Sequence, residues 1–237
     1  MNAIVYEMKC LTNLHAGSGE ANYSIIDNEV QRDPVTGYPT IFSSGIKGAI
    51  REYFKRHGLS ESCSDYIDMF GSEQGDVQNE KKAGTKPGYL KFTQAHLYAF
   101  PKRAEDGDAA YRMTTTKTAE KELADFLSVL GAKEDKKPCE AAIAGEEDFR
   151  KLMKHLPVTA RNQLKKGISQ NLWYEEIVPH ETVFWFAVLY DGGAKTDVLT
   201  SFDSSLLTDG KAVIQFGADA SIGDGICLVK KFCEVKD

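Results

Sequence analysis

Three carboxylates and one histidine stand where they could act on a phosphodiester. Asp27 lies in a polar loop directly after the apolar pair Ile25-Ile26, which would anchor it beside a sheet. A carboxylate so placed can bind a divalent cation or accept a proton from an attacking hydroxyl. One carboxylate cannot hold Mg²⁺ alone, so substrate phosphate and water would have to complete the shell. His15 opens the glycine turn His15-Ala16-Gly17-Ser18-Gly19, and Glu175-Glu176 form a second acidic group; both are candidate helpers. Each residue also has an ordinary structural reading, Asp27 as a turn cap and the others as satisfied polar groups.

Cations complement these acids. Ser43-Ser44-Gly45 reads as a helix start whose exposed N–H groups could accept a phosphate. Ile46, Ala49, Ile50, Tyr53 and Phe54 then recur at helical spacing, and Lys47, Arg51 and Lys55 form a basic stripe on another face. Between Arg150 and His180 there are six basic residues (Arg150, Lys151, Lys154, Arg161, Lys165, Lys166) and two acidic ones. A nucleic-acid backbone fits this arrangement, and nothing in it reads base edges. The G-x-G turn itself is neither a dinucleotide fingerprint nor a Walker pattern.

The elements that must carry these residues alternate between strand and helix. Residues 3–14 read as a half-buried strand, 88–92 as the start of a strand that continues through 97–100, and 118–131 as a helix. A short helix from Glu146 to His155 stops before Pro157. Val158 to Asn162 and Asn171 to Val178 flank a Lys-Lys-Gly tip, which predicts a long hairpin. Thr182 to Tyr190 is a buried strand, and Val213 to Phe216 and Ile226 to Val229 are strands around a glycine turn. Residues 198–207 fit neither pattern clearly. The strands starting at the N-terminus and at Thr182 each lead to a glycine turn, a faint sign of internal duplication. The expected class is α+β, a sheet with helices on one face.

Composition sets the bounds. The 237 residues are 42% hydrophobic and 27% charged with a formal net charge of −6, an ordinary globular composition large enough for a real core. The acidic balance argues only weakly against nucleic acid, because local clustering matters more than the sum. The five cysteines are scattered without a C-x-x-C pair, so reduced packed thiols are expected rather than disulfides or structural zinc. No stretch approaches the roughly 18 apolar residues of a membrane helix. The first ten residues are strand-like rather than a signal segment, so a cytoplasmic protein without membrane partners is expected.

At the level of motifs the sequence resembles a known family. LHAGSG (14–19), IIDNEVQRDPVTGYP (25–39), IFSSGIKGAIRE (41–52), MFGSE (69–73), GYLKFTQAHLYAFPKR (88–103), LPVTARN (156–162), NLWYEEIVP (171–179) and IQFGADASIGDGICLV (214–229) resemble the RAMP superfamily. Within it they look like the repeated backbone subunit of type III-B (Cmr) CRISPR effector complexes. The resemblance implies a single domain over 1–237, with an RRM-like, ferredoxin-type core and a thumb hairpin at about 157–179; residues 72–88, with almost no apolar content, read as a loop or mobile insertion. Implied partners are CRISPR guide RNA, target RNA, other Cmr subunits and further copies of the chain. The implied activity is target-RNA cleavage at regular intervals with a divalent metal, Mg²⁺ or Mn²⁺, in antiviral defence. Asp27 would be the essential acid and metal ligand, assisted by His15 and by Glu175 or Glu176. Ser43, Ser44, Lys47, Arg51, Arg161, Asn162, Lys165, Lys166, Gly217 and Gly223 are the expected RNA contacts. The thumb would displace one nucleotide, which frees its 2′-OH for the in-line attack that A-form stacking prevents.

The sequence departs from the family pattern at Gln94, where an Asp is usual, at the reduced glycine pair Gly217-Ala218, and at Tyr111, where a tryptophan is expected. Three alternatives stay open: a binding-only scaffold, the type III-A (Csm) equivalent, and a metal-free enzyme that processes the guide precursor.

Overall fold

The structure is a computed structural model that describes residues 1–19, 25–59, 63–72, 86–132, 136–190, 192 and 197–236. The insertion expected at about 72–88 falls mostly on residues 73–85, outside the described residues.

A βαββαβ core carries everything else. It runs β1 (Asn2–Cys10), α1 (Ser43–Arg56), β3 (His96–Arg103), β8 (Val183–Tyr190), α5 (Val198–Leu206) and β10 (Ile226–Val235). These four strands lie in the order β3-β8-β1-β10, each antiparallel to its neighbour. That is the ferredoxin-type arrangement, an α+β core made of two β-α-β halves. The faint duplication in the sequence corresponds to those halves. β9 (Lys211–Gln215) extends one edge, and β4 (Tyr111–Thr115) with β5 (Ala142–Ile143) extends the other; β2 (Lys91–Phe92) pairs with β8.

Side-chain alternation divides the core into two layers. Ile4, Tyr6, Met8 and Cys10 of β1 pack with α1, with α2 (Ser64–Phe70) and with α5. Phe54 of α1 stacks on Phe202 of α5 at 5.5 Å. Val5, Trp185 and Ala187 point the other way, where Leu123 and Leu127 of α3 (Lys117–Val129) cover them. Helices therefore cover both faces of the sheet, not one, because the central strand β8 is apolar on both sides and neither face can be left wet. α4 (Glu146–Lys154) packs Phe149 against Tyr38. All five cysteines are free thiols. Cys10 and Cys227 face each other across β1 and β10, with sulfurs 3.8 Å apart.

The long hairpin forms a separate two-stranded ribbon, β6 (Val158–Lys165) and β7 (Ile168–Glu176). Its tip is shorter than the sequence suggests. Lys166 (φ 53°) and Gly167 (φ 80°) both take the left-handed conformation, as a two-residue type I′ turn requires. The ribbon is exposed towards its tip, with Leu164, Ile168 and Leu172 open to solvent.

Candidate RNA-cleavage site

Four chain segments meet at the base of the hairpin. The glycine turn pairs with the end of the hairpin through Leu14 and Val178, and with the Asp27 loop through Gly17 and Val30. The Asp27 loop pairs in turn with β7, Asn28 against Glu175. The C-terminal turn closes the group: Ala218 N–H donates to the His15 carbonyl at 2.8 Å, and Gly225 N–H donates to Asn13 O at 2.6 Å. Gly217 (φ 76°) sits so close that a Cβ there would lie 2.3 Å from the His15 carbonyl oxygen.

Asp27 is exposed and held by backbone. Its N–H donates to Tyr174 O at 3.0 Å, and its Oδ2 accepts the Tyr174 N–H at 2.8 Å. Ile25, the first half of the expected apolar anchor, is 88% exposed, so the pairing with β7 fixes the loop instead. The loop continues through Gln31. Its side chain donates to Gly17 O at 3.0 Å and accepts the Phe42 N–H at 2.6 Å, which ties the glycine turn to the start of α1.

The other acids are committed to partners. Glu176 is buried, pairs with Arg32 at 2.5 Å and accepts the Val30 N–H at 3.1 Å. Glu175 is buried too, accepting from Trp173 Nε1 (2.8 Å), Asn28 Nδ2 (3.0 Å) and Arg161 Nε (3.0 Å). Burial pushes the Glu175 carboxyl up, but these donors outweigh it and hold the pKa below the usual carboxylate range. His15 is also buried, with Nδ1 2.7 Å from the Glu176 carbonyl oxygen; only a protonated Nδ1 can satisfy that acceptor. The structure thus brings His15, Glu175 and Glu176 to the floor of the site and leaves Asp27 on its surface.

The expected RNA contacts divide into two groups. The start of α1 has the features a phosphate needs. Ser43 and Ser44 are exposed, no side chain caps the helix, and its first turn holds no acid. Lys47 and Arg51 lie one turn apart further along; burial and the Arg51 charge both lower the Lys47 pKa, so an anion here would relieve a repulsion. Arg51 also donates to Tyr66 Oη at 3.3 Å. Asn162, Lys165 and Lys166 are exposed on the outer hairpin. Arg161 differs from them. Its side chain is 18% exposed and bonded to Glu175, Asp219 (3.0 Å) and Asp224 (2.6 Å), so three carboxylates consume its charge. Gly223 (φ 88°) closes a short 3₁₀ turn, Ala220–Ile222, with open space around it. Gln94 donates to Asp33 Oδ2 at 2.9 Å, away from Asp27.

Among the described residues no three His, Cys, Asp or Glu side chains converge to hold a metal ion. Glu175, Asp219 and Asp224 surround a guanidinium rather than an empty space. Among the described residues no metal site is prebuilt, so an ion held by Asp27 would need phosphate and water to complete its shell.

The chain is thus a ferredoxin-type α+β domain with a protruding ribbon, and a glycine turn at the ribbon's base is tied through Gln31 to the uncapped start of α1. Residues 7–227 match the RAMP superfamily, and the chain belongs to it. The CRISPR system Cmr endoribonuclease Cmr4 of Pyrococcus furiosus is 23% identical over 97% of this chain and 95% of its own length. A chain in the cryo-EM structure of the type III-B Cmr-beta complex bound to cognate target RNA superposes with a TM-score of 0.75. It is 18% identical, with 97% of this chain and 96% of that one covered. Oligomeric Cmr4 from P. furiosus gives a TM-score of 0.72 at 18% identity, with both chains fully covered. Among the described residues no helix is long and apolar enough to cross a membrane.

Proposed function

We propose that this chain is the backbone subunit of a type III-B CRISPR effector complex, binding guide RNA and cutting complementary target RNA at regular intervals. The RAMP fold and its likeness to Cmr4 along nearly the whole chain support this reading. The observation that carries it is the contrast among the acids at the hairpin base. Glu175, Glu176, Asp219 and Asp224 are each paired with an arginine, while Asp27 presents an exposed carboxylate on a backbone-locked loop.

In the reaction the α1 start, with Lys47 and Arg51, holds guide phosphates. The hairpin wedges into the guide–target duplex and unstacks a nucleotide, so the target 2′-OH can approach in line with its leaving oxygen. Asp27 orients that hydroxyl and accepts its proton as the 2′-oxygen bonds to phosphorus and the P–O5′ bond breaks, the 5′-oxygen taking a proton from water as it leaves. Asp27 is the residue that would hold a divalent ion, Mg²⁺ or Mn²⁺, which when bound would supply charge stabilisation at the scissile phosphate. Residues 1–237 act as one RAMP domain, in the cytoplasm, with further copies and other Cmr subunits as neighbours.

The test is an assembled complex with guide RNA and end-labelled complementary target. A ladder of evenly spaced products that EDTA abolishes is expected. Tight binding with no products would make the chain a scaffold, and cleavage of the guide precursor without metal would make it a processing enzyme.

A further inference from the structure

Arg161 is a basic residue of the hairpin base that no RNA phosphate can use as it stands. Three carboxylates from two segments converge on its guanidinium: Glu175 from β7, and Asp219 and Asp224 from the C-terminal turn. A phosphate would have to displace one of them, and the surplus of negative charge would repel it. The group has a different consequence. Arg161 Nε fixes Glu175 Oε2 at 3.0 Å, and Glu175 Oε1 accepts from Asn28 Nδ2 at 3.0 Å. Asn28 follows Asp27 directly, and both N–H groups donate to the same Tyr174 carbonyl, at 3.0 and 3.1 Å. The position of the exposed carboxylate is thus set by Tyr174 on one side and by this side-chain chain on the other.

We propose that Arg161 is a positioning residue for target-RNA cleavage: through Glu175 and Asn28 it holds the Asp27 loop against β7, and it clamps the C-terminal turn to the same point. The inference rests on the reading that Asp27 acts on RNA. Without the guanidinium, Glu175, Asp219 and Asp224 repel one another and Glu175 loses its fixed orientation. Asn28 then has no fixed acceptor, and Asp27 drifts from the reacting hydroxyl. A displacement of about 1 Å costs on the order of 100-fold in rate.

The experiment compares assembled complexes carrying wild-type chain, Arg161→Gln, Glu175→Gln and the double variant, with single-turnover cleavage measured at saturating target and target affinity measured separately. Wild-type complex that binds but never cuts would remove the underlying reading, whatever the variants do. With wild-type cleavage in hand, Arg161→Gln is expected to lower the rate about 10- to 100-fold at unchanged affinity, and the double variant to be no slower than the worse single one. Weaker affinity at an unchanged saturated rate would make Arg161 an RNA contact and overturn the proposal, as would multiplicative losses in the double variant. Asn28→Ala cuts the same link at an exposed residue without touching the ion pairs, so it serves if Arg161→Gln fails to assemble. It is expected to show the same loss of rate at equal affinity, and wild-type cleavage by Asn28→Ala would end the proposal.

Discussion

Replacing Gly217 with alanine separates backbone strain from steric conflict at the floor of the site. Gly217 has φ 76°, where an L side chain costs about 1–2 kcal/mol. Its Cβ would also lie 2.3 Å from the His15 carbonyl oxygen, 3.0 Å from the carbonyl carbon and 3.2 Å from Leu14 Cδ1. Two of those three atoms are backbone, so the C-terminal turn must move away from the glycine turn. The Ala218 N–H to His15 O bond, 2.8 Å long, goes with it, for about 1 kcal/mol more. The total is about 2–3 kcal/mol, a fall in melting temperature of roughly 4–12 °C for a domain of this size. Gly223→Ala is the internal control. Its φ is 88° but nothing lies within 4 Å of its Cβ, so only the conformational cost of about 1–2 kcal/mol applies, roughly 2–8 °C. Thermal unfolding followed by circular dichroism reads both. Equal shifts for the two variants would refute the close packing of the two turns that organises the site.

Lys47→Ala with Arg51→Ala should weaken guide-RNA binding and reduce its salt dependence by about one unit of slope per lost phosphate contact, measured by titration at several salt concentrations. Glu176→Ala removes the acceptor of Arg32 Nη2 and of the Val30 N–H, leaving Arg32 only its Nη1 bonds to Gly37 O and Met153 O, and should cost about 2–4 kcal/mol in urea unfolding. Acid should loosen the hairpin base: the Glu175 pKa is lowered in the folded chain, so its contribution is full above the unfolded value of about 4.3 and lost as pH falls through the folded value. Asp219, raised first by burial and then by Glu175, works in the opposite sense and destabilises as pH rises through its folded value. Glu175→Gln should therefore flatten the acid limb of a stability–pH curve measured by denaturant unfolding.

Much of the architecture is legible in local pattern. The α1 periodicity, the buried strand before Tyr190 and the paired arms around Lys166-Gly167 all carry it, because spacing and turn chemistry are local signals. α5 is harder to read. Its Ser, Thr and Asp content argues against a helix, and burial of Val198, Leu199, Phe202 and Leu206 decides the matter. α2 escapes for another reason: seven residues are too few to show a period. At the site, the polar loop that carries Asp27 is legible, but its anchor is not: Ile25 is exposed, and pairing with Tyr174 of β7 holds the loop instead. The partners of Arg161 are not legible either, since Asp219 and Asp224 lie 58 and 63 residues away in sequence and no spacing announces them. A basic residue in a basic stretch reads as a phosphate contact until its acids are seen. Gln31, which joins the glycine turn to the start of α1, carries no signal beyond lying in a polar loop.

The central claim is that the exposed carboxylate of Asp27 cuts RNA, and Asp27→Asn addresses it most directly. Asparagine keeps an oxygen for the Tyr174 N–H and removes only the charge and basicity. Complexes with either chain should assemble alike and bind labelled target RNA with equal affinity, while the product ladder of the wild type disappears from the variant. An undiminished ladder from the Asp27→Asn complex would contradict the account and move the chemistry to another residue or another subunit.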